Sequence, residues 1–558
     1  MGLIFLRNRV SGVAPADAYA IGGNSPELVA SFLTQEDGTT EGEYFRTGGA
    51  TDDFTMFTFS RTNNATMFDS TGTLVYAPHN YLVNTDTLAS ASTYAGGTSR
   101  SGTATEVIEG VPLFTLDEGT DNNEHRITQS ATLPSTGLQV GFSFCYKAGT
   151  CRYIRFASIS GSQFDPGHVV VIDTTTHSYT TQDCTASITQ VGSTDMRRVE
   201  VFPNSATLST GVTLYLAMMN ASGTSTVYLG TSRTVLVGGF EIWDATLPRA
   251  NNPEQTVSGL EDFVLNSTAS SLFLSRRNAY YHNGTSWVKG GLQKDPVANT
   301  QLLHGTDSFA TQDETVTAQA YTLQFRGTGS IALTGAHTAT LNGTGANDLV
   351  SLTFTPSAGT LTLTPSGTVD YPQLETGRAP TSYIPNTAGS GTVTRAIETL
   401  SIAGVDNPIT ATTATFFWDF LYTTNNTDPY AKPLEIVFTS NERMRIYDGD
   451  GANRGYVEWY NDPGLDYTDI YTGASGSFPG VNVRRRGCAS IAENDELLIS
   501  VNGSATGPTA VTDIADFSGQ DIAIATSLAS RQFTCFVREI RVGSFKTSGA
   551  DAEAVTAL

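Results

Sequence analysis

Apolar and polar residues alternate over short runs, and turn residues separate the runs at close, regular spacing. Phe54–Phe59 predicts a strand, and Ala65–Phe68 with Thr73–Tyr76 predicts a hairpin about the turn Asp69–Gly72. The pattern then predicts strands at His125–Ser130, Gln139–Tyr146, Arg152–Ser158, His168–Asp173, Ala186–Val191, Arg197–Val201, Thr213–Met219, Thr226–Leu229 and Val235–Trp243. It continues more weakly through Ala279–His282, Ala320–Arg326, Ile331–Thr334, Leu349–Phe354 and Thr360–Pro365, with Asn283–Gly284 as a hairpin turn. Phe416–Tyr422, Leu434–Phe438, Met444–Tyr447, Tyr456–Tyr460, Glu496–Val501 and Cys535–Val542 form a last group. A helical period shows only at Pro26–Thr34, with Ser25 as N-cap, and in the tail Ala550–Leu558. The expected fold is all-β: tandem antiparallel β-sandwiches of jelly-roll type behind an irregular N-terminal arm. Expected boundaries are an arm and hairpin over 1–85, then sandwiches over 86–255, 256–400 and 401–558.

Residues 370–402 punctuate this pattern. Pro372, Pro380 and Pro385 deny the stretch helix and central-strand geometry, while Tyr371, Leu374 and Tyr383–Ile384 anchor it. It reads as a strap over a sandwich edge. DYPQLETGRA at 370–379 echoes EIWDATLPRA at 241–250, a loose repeat that fits two copies of one module.

Composition narrows the function. Charged residues are only 15% of the chain, as suits polar β-surfaces. The net charge of −23 repels phosphate backbones and anionic membranes, which argues against nucleic-acid binding. No run approaches the ~18–20 apolar residues of a membrane span. The apolar start MGLIFL is too short for a signal peptide, so synthesis without export and no membrane insertion are expected. Five cysteines show no metal-type spacing. Cys145 and Cys151 stand where a hairpin disulfide can form, with buried free thiols as the plainer reading.

Candidate chemistry is sparse. No nucleophile, phosphate-loop or zinc motif appears, and the seven histidines have no triad or chelate beside them, so no enzyme is expected. Trp459 and Tyr460 lie near Glu458, Asp462, Asp466 and Asp469, which suits a sugar-binding patch, a solvated loop or, least, a glycosidase acid pair. Tyr280, Tyr281 and Trp287 flank a hairpin tip and offer a second aromatic platform, or core closure. Arg484, Arg485 and Arg486 are the one concentrated basic cluster. They suit an acidic partner or glycan, or strand pairing with nearby acids. YDGDG at 447–451 matches a calcium loop only in Asp448 and Asp450, so calcium stays an option without a motif and no cofactor is expected.

Three stretches together resemble one group of proteins. SRTNNATMFDSTGTLVYAPHN within Thr58–Val83 resembles the leader of many bacteriophage virion proteins. His125–Gly149 with Thr185–Val201 is similar to the carbohydrate-binding-like jelly roll that follows that leader. YPQLETGRAPTSYIPNTAGSGTVTRA at 371–396 resembles the module end of the same proteins. Leu497–Gly503, Phe536–Phe545 and the tail resemble concanavalin A/laminin-G-like sandwiches. The first module departs from the pattern, since no Tyr-Ile-Pro strap follows Ala250. The resemblance implies a virion component assembled in the host cytoplasm, without saying which part of the virion. The role expected here is attachment to host-surface polysaccharide from a tail fibre, head fibre or spike. The alternative is a capsid decoration or tail-assembly protein that cements its neighbours without binding glycan. The resemblance implies a homotrimer. Residues 1–50, poorly periodic, read separately as an arm that docks on other virion proteins, or as an irregular leader.

Overall fold

The computed structural model describes residues 20–24, 26–32, 43–46, 57–88, 92–93, 98–160, 168–206, 209–252, 255, 257–409, 412–422, 431–439, 442–448, 455–461, 466–471, 483–492, 496–509, 516–527 and 533–557. The chain gathers into two compact units. One holds residues 62–64 and 75–274; the other holds 65–74, 275–558 and the described part of 9–61.

The first unit is an antiparallel sandwich. One sheet runs Cys184–Gln190, Arg197–Pro203, Val140–Lys147, Thr234–Asp244, Val111–Asp117 and Ser99–Arg100. The other runs Tyr179–Gln182, His168–Asp173, Tyr153–Ser160, Gly211–Met218, Arg126–Thr132 and Ser92–Thr93. Alternation in strands such as Gly211–Met218 turns Val212, Leu214 and Leu216 inward, where they meet Phe142, Phe144, Phe156 and Phe240. Val140–Lys147 is buried on both faces, because Leu260 and Phe263 from the following segment cover its outer side with Cys145 and Val111. All five cysteines are free, buried thiols, Cys145 and Cys151 among them.

The second unit contains two facing pairs of sheets. In the smaller, Gln312–Val316, Gly359–Ser366, Ser330–Gly335 and Ala339–Asn342 lie against Gly345–Phe354, Tyr321–Gly327 and Asp370–Thr376. Leu323, Phe325, Ile331, Leu333, Leu361 and Leu374 fill the space between. Asp370–Thr376 is an edge strand, a place in such a sheet that tolerates Pro372.

In the larger pair, one sheet runs Ser504–Thr509, Glu496–Val501, Val483–Ala492, Ala414–Tyr422, Cys535–Gly543, Trp287–Lys294, Arg276–His282 and Thr66–Phe68. Facing it are Phe57–Ser60, Thr399–Ile402, Ile522–Ser527, Ala431–Thr439, Glu442–Asp448, Gly455–Asn461 and Asp466–Tyr471. Trp418, Phe416 and Phe420 form the centre of their core. The tail forms the helix Gly549–Thr556, capped by Ser548, whose hydroxyl accepts from the Asp551 amide at 3.1 Å. Among the described residues no helix is long and apolar enough to cross a membrane.

The all-β expectation holds, with one local correction. The helix expected over Pro26–Thr34 is instead the strand Leu28–Ser31, paired to Cys535–Gly543 on one side and Glu43–Arg46 on the other. Leu28, Val29 and Ala30 are all fully buried. A short run that is apolar all round fits a strand covered on both faces as well as a helix, and a partner some five hundred positions away decides between them. This part of the arm is therefore built into a sheet. Ser25 lies outside the described residues, as do residues 1–19 and 33–42.

Candidate functional site

A buried knot of charge underlies the site. Arg276, on the strand Arg276–His282, has no solvent exposure; its Nε donates to Glu398 at 3.0 Å, its Nη1 to the Thr66 carbonyl at 3.0 Å and the Ser382 hydroxyl at 2.8 Å, and its Nη2 to Asp295. Arg61 adds an ion pair to Glu398 at 2.7 Å. Arg395 donates to the Ser382 hydroxyl at 2.9 Å and lies 3.5 Å from Asp295. Burial alone pushes both acids up, but the arginines override it and hold Asp295 and Glu398 below the usual carboxylate range. Burial pulls Arg61 down to about 10. Ser382 and Thr534, both bonded to Asp295, carry the knot up to the floor of a cleft of about 270 Å³.

Strand irregularities shape the walls. Register slips on either side of Ala279, beside the left-handed Asn278 (φ 60°), bring Tyr280 and Tyr281 into the cleft. A second slip lies between Gln324 and Arg326 against Asp370–Gln373, where Tyr371 takes φ 53° although proline follows it. A left-handed tyrosine is strained backbone, and here it faces the cleft. A third slip falls between Arg326 and Gly327, and Gly327 (φ 130°) leaves no room for a side chain above the Thr368 carbonyl. Tyr371 meets Tyr383 and Phe68 edge-on at 5.3 and 5.4 Å. His282 Nδ1 and Asp348 Oδ1 are 3.0 Å apart on the rim.

Arg326 lies over the rings of Phe68 and Trp287, at 4.8 and 5.3 Å from their centroids. It is half-buried, and burial pulls its guanidinium down to about 10. Trp287 stands behind it, 4.7 Å from Phe68 and pressed against the side-chain-free face of Gly72 (φ 83°).

The residues expected from sequence fall in three places. Tyr280 and Tyr281 line this cleft and Trp287 backs it. Trp459 and Tyr460 pair with Thr468 and Tyr467 in the sheet backbone, and Asp466 opens its strand opposite Asn461. Their side chains, and Asp462 altogether, lie outside the described residues, as do Asp450 and the rest of the YDGDG turn beyond Asp448. Arg484 and Arg486 converge on the fully buried Asp419, with Arg484 Nε at 2.9 and 3.0 Å from its two oxygens and Arg486 Nε at 3.3 Å. The intervening Arg485 is buried on the other face of the strand. Among the described residues no cluster of His, Cys, Asp or Glu is placed to hold a metal.

Sequence reading missed Phe68, Arg326 and Asp348 as site residues, and took Tyr371 for a core anchor. Phe68, Arg326 and Tyr371 come from three strands far apart in the chain. The one local signal was Tyr-Pro inside a strand-like run, which marks an irregular edge.

A further polar cleft, of about 350 Å³, lies in the first unit beside Thr189, Glu200 and Asn251. Its charges are spent on one another. Arg198 and Arg249 pair with the buried Glu241 at 2.8 and 3.0 Å, and with Asp262 at 2.5 and 2.8 Å.

Neither any family model nor any curated protein matches the chain. Similar solved structures include the CBM40 domain of the Ruminococcus gnavus IT-sialidase bound to α2,6-sialyllactose, 15% identical, covering 27% of this chain and 85% of that one, with a TM-score of 0.23. Domain 4 of the GH43 arabinanase AbnA from Geobacillus stearothermophilus, with arabinotriose, is 10% identical over 30% of this chain and 78% of its own, at a TM-score of 0.24. The binding domain of botulinum neurotoxin DC in complex with SialylT is 10% identical over 29% of this chain and 39% of its own, at 0.23. Scores this low assign no ligand to this chain.

Proposed function

We propose that this chain is a bacteriophage virion protein of fibre or spike type that attaches to host-surface glycans, and that the tyrosine-walled cleft is a glycan contact. The observation that carries the glycan reading is the cleft itself: rings from Tyr280, Tyr281 and Tyr371 beside Gln293, Gln324 and Asp348, on a rigid charged floor. Aromatic faces stack on sugar rings while a few fixed polar groups take the hydroxyls. Asp348 is the cleft's lining carboxylate and sits against His282, whereas glycoside hydrolysis needs two acids ~5–9.5 Å apart, so the arrangement suits binding. The virion assignment rests on the sequence resemblance of Thr58–Val83 and Tyr371–Ala396. Within a homotrimer, weak single contacts gain from avidity.

Glycan-array binding of the full chain tests this. Binding to host polysaccharide that falls about tenfold in Tyr280→Ala, with melting unchanged, is the expected result. Silence across host polysaccharides sinks the glycan reading and leaves the decoration or tail-assembly role.

A sign-dependent stability effect also follows from the strap. Glu375 is buried and accepts from the Thr381 amide at 2.7 Å and from the side chains of Thr381 and Asn299. No cation is bonded to it among the described residues, and burial pushes its carboxyl up to about 7. A raised folded pKa gives stability that is complete below the ordinary value of 4.5 and is lost as pH rises through about 7. Glu375→Gln does not ionise. Its melting temperature is therefore expected to gain on the wild type between pH 5 and pH 8, as read by calorimetry at both.

A further inference from the structure

We infer that the cleft takes an acidic sugar, one carrying a carboxylate, and that Arg326 is the residue that grips it. This rests on the glycan reading of the cleft and goes further in naming the sugar's charge. The ground is a contrast among arginines. Arg61, Arg198, Arg233, Arg249, Arg276 and Arg395 each have a carboxylate partner inside the protein. Arg326 has none among the described residues, although it is half-buried in the cleft wall. Its Nη1 donates to the Asn347 carbonyl, and its guanidinium carbon lies over the rings of Phe68 and Trp287.

Two aromatic rings and one hydrogen bond confine the guanidinium. The remaining N–H groups form a held fork, the geometry that matches a planar carboxylate with two parallel bonds. Asp348, the acid in the same wall, attracts this charge from a distance but makes no ion pair with it among the described residues. Its Oδ1 faces His282 at 3.0 Å and its Oδ2 accepts from Thr344 at 3.3 Å. A charge taken partly out of water without an ion-pair partner is costly, and a ligand carboxylate reduces that cost. The tyrosine rings then meet the sugar's apolar face. The cleft lies just below the ~300–1,000 Å³ of drug-sized ligand sites, which suits one sugar unit of a chain.

The test uses the full-length protein and three immobilised probes: oligogalacturonate, hyaluronan oligomers and polysialic acid, each also after carboxyl reduction to the neutral alcohol. Binding to at least one acidic probe is expected, weakening about tenfold or more on carboxyl reduction and to the same extent in Arg326→Gln, as loss of a charge-assisted bidentate contact requires. The reduced probes need no variant, so the test stands even if Arg326→Gln folds poorly. Equal binding of acidic and reduced probes overturns the acidic-sugar inference and leaves the glycan reading intact. So does binding only to neutral glycans. Acidic binding that survives in a folded Arg326→Gln protein also overturns it. Failure to bind any glycan, acidic or neutral, removes both.

Discussion

Glu398→Gln is expected to cost the second unit about 3–5 kcal/mol, the range for breaking a buried ion pair from one side. The substitution keeps shape and removes one charge. Before it, three buried arginines (Arg61, Arg276 and Arg395) face two acids, Asp295 and Glu398. After it, three positive charges face one acid in a place no water reaches. Arg61 also loses the carboxylate at 2.7 Å that holds it. The loss should show as a melting point lower by roughly 10 °C. A double variant, Arg61→Met with Glu398→Gln, should recover part of it, because a stranded charge goes with its partner. The effect has a pH signature. Glu398 is held below its ordinary 4.5, so its stabilisation is present above that value and fades as pH falls below it. Wild type and variant should therefore converge in acid. A constant gap down to pH 2 would mean the knot is not charged as described.

Glu241→Gln is the matching change in the first unit, again at about 3–5 kcal/mol. Glu241 is wholly buried and accepts from Ser143 at 2.6 Å, from the Val264 amide at 2.8 Å, and from Arg198 and Arg249. Arg249 also lies 4.1 Å over Trp243, so its guanidinium cannot swing out to water without baring that ring. Hydrogen exchange reads the outcome best: protection should fall over Val140–Lys147 and Thr234–Asp244. Unchanged protection there would show that Asp262 alone suffices for both arginines.

These knots show what the sequence displays and what it hides. Alternation and turn residues exposed the strands, because burial of one face imposes period two wherever a strand lies. Asn502–Gly503, a favoured hairpin dipeptide, joins Glu496–Val501 to Ser504–Thr509. The echo of 241–250 in 370–379 marked two strands that each carry a buried acid, yet gave no sign that Glu241 is bonded to arginines while Glu375, among the described residues, is bonded to none. Their partners come from other strands, and pairing depends on register. The same holds for the cleft. Tyr280, Tyr281 and Trp287 were visible as an aromatic hairpin, while Arg326 looked like any strand-end arginine. Leu28–Ser31 was misread because its partner strand ends at Gly543.

That last pairing sets a clock. Leu28 sits opposite Val542, and Ser31 opposite Glu539. Ribosomes add about 5–20 residues per second, so the early strand waits about half a minute to nearly two minutes for its neighbour to be made. Until then three apolar residues in a row stand without their sheet. Closing so long a loop makes the step slow as well as late. Newly made chains should therefore pass through a state in which the first unit is folded and the last sheet is open at its centre, and chaperone demand during synthesis should fall on that interval.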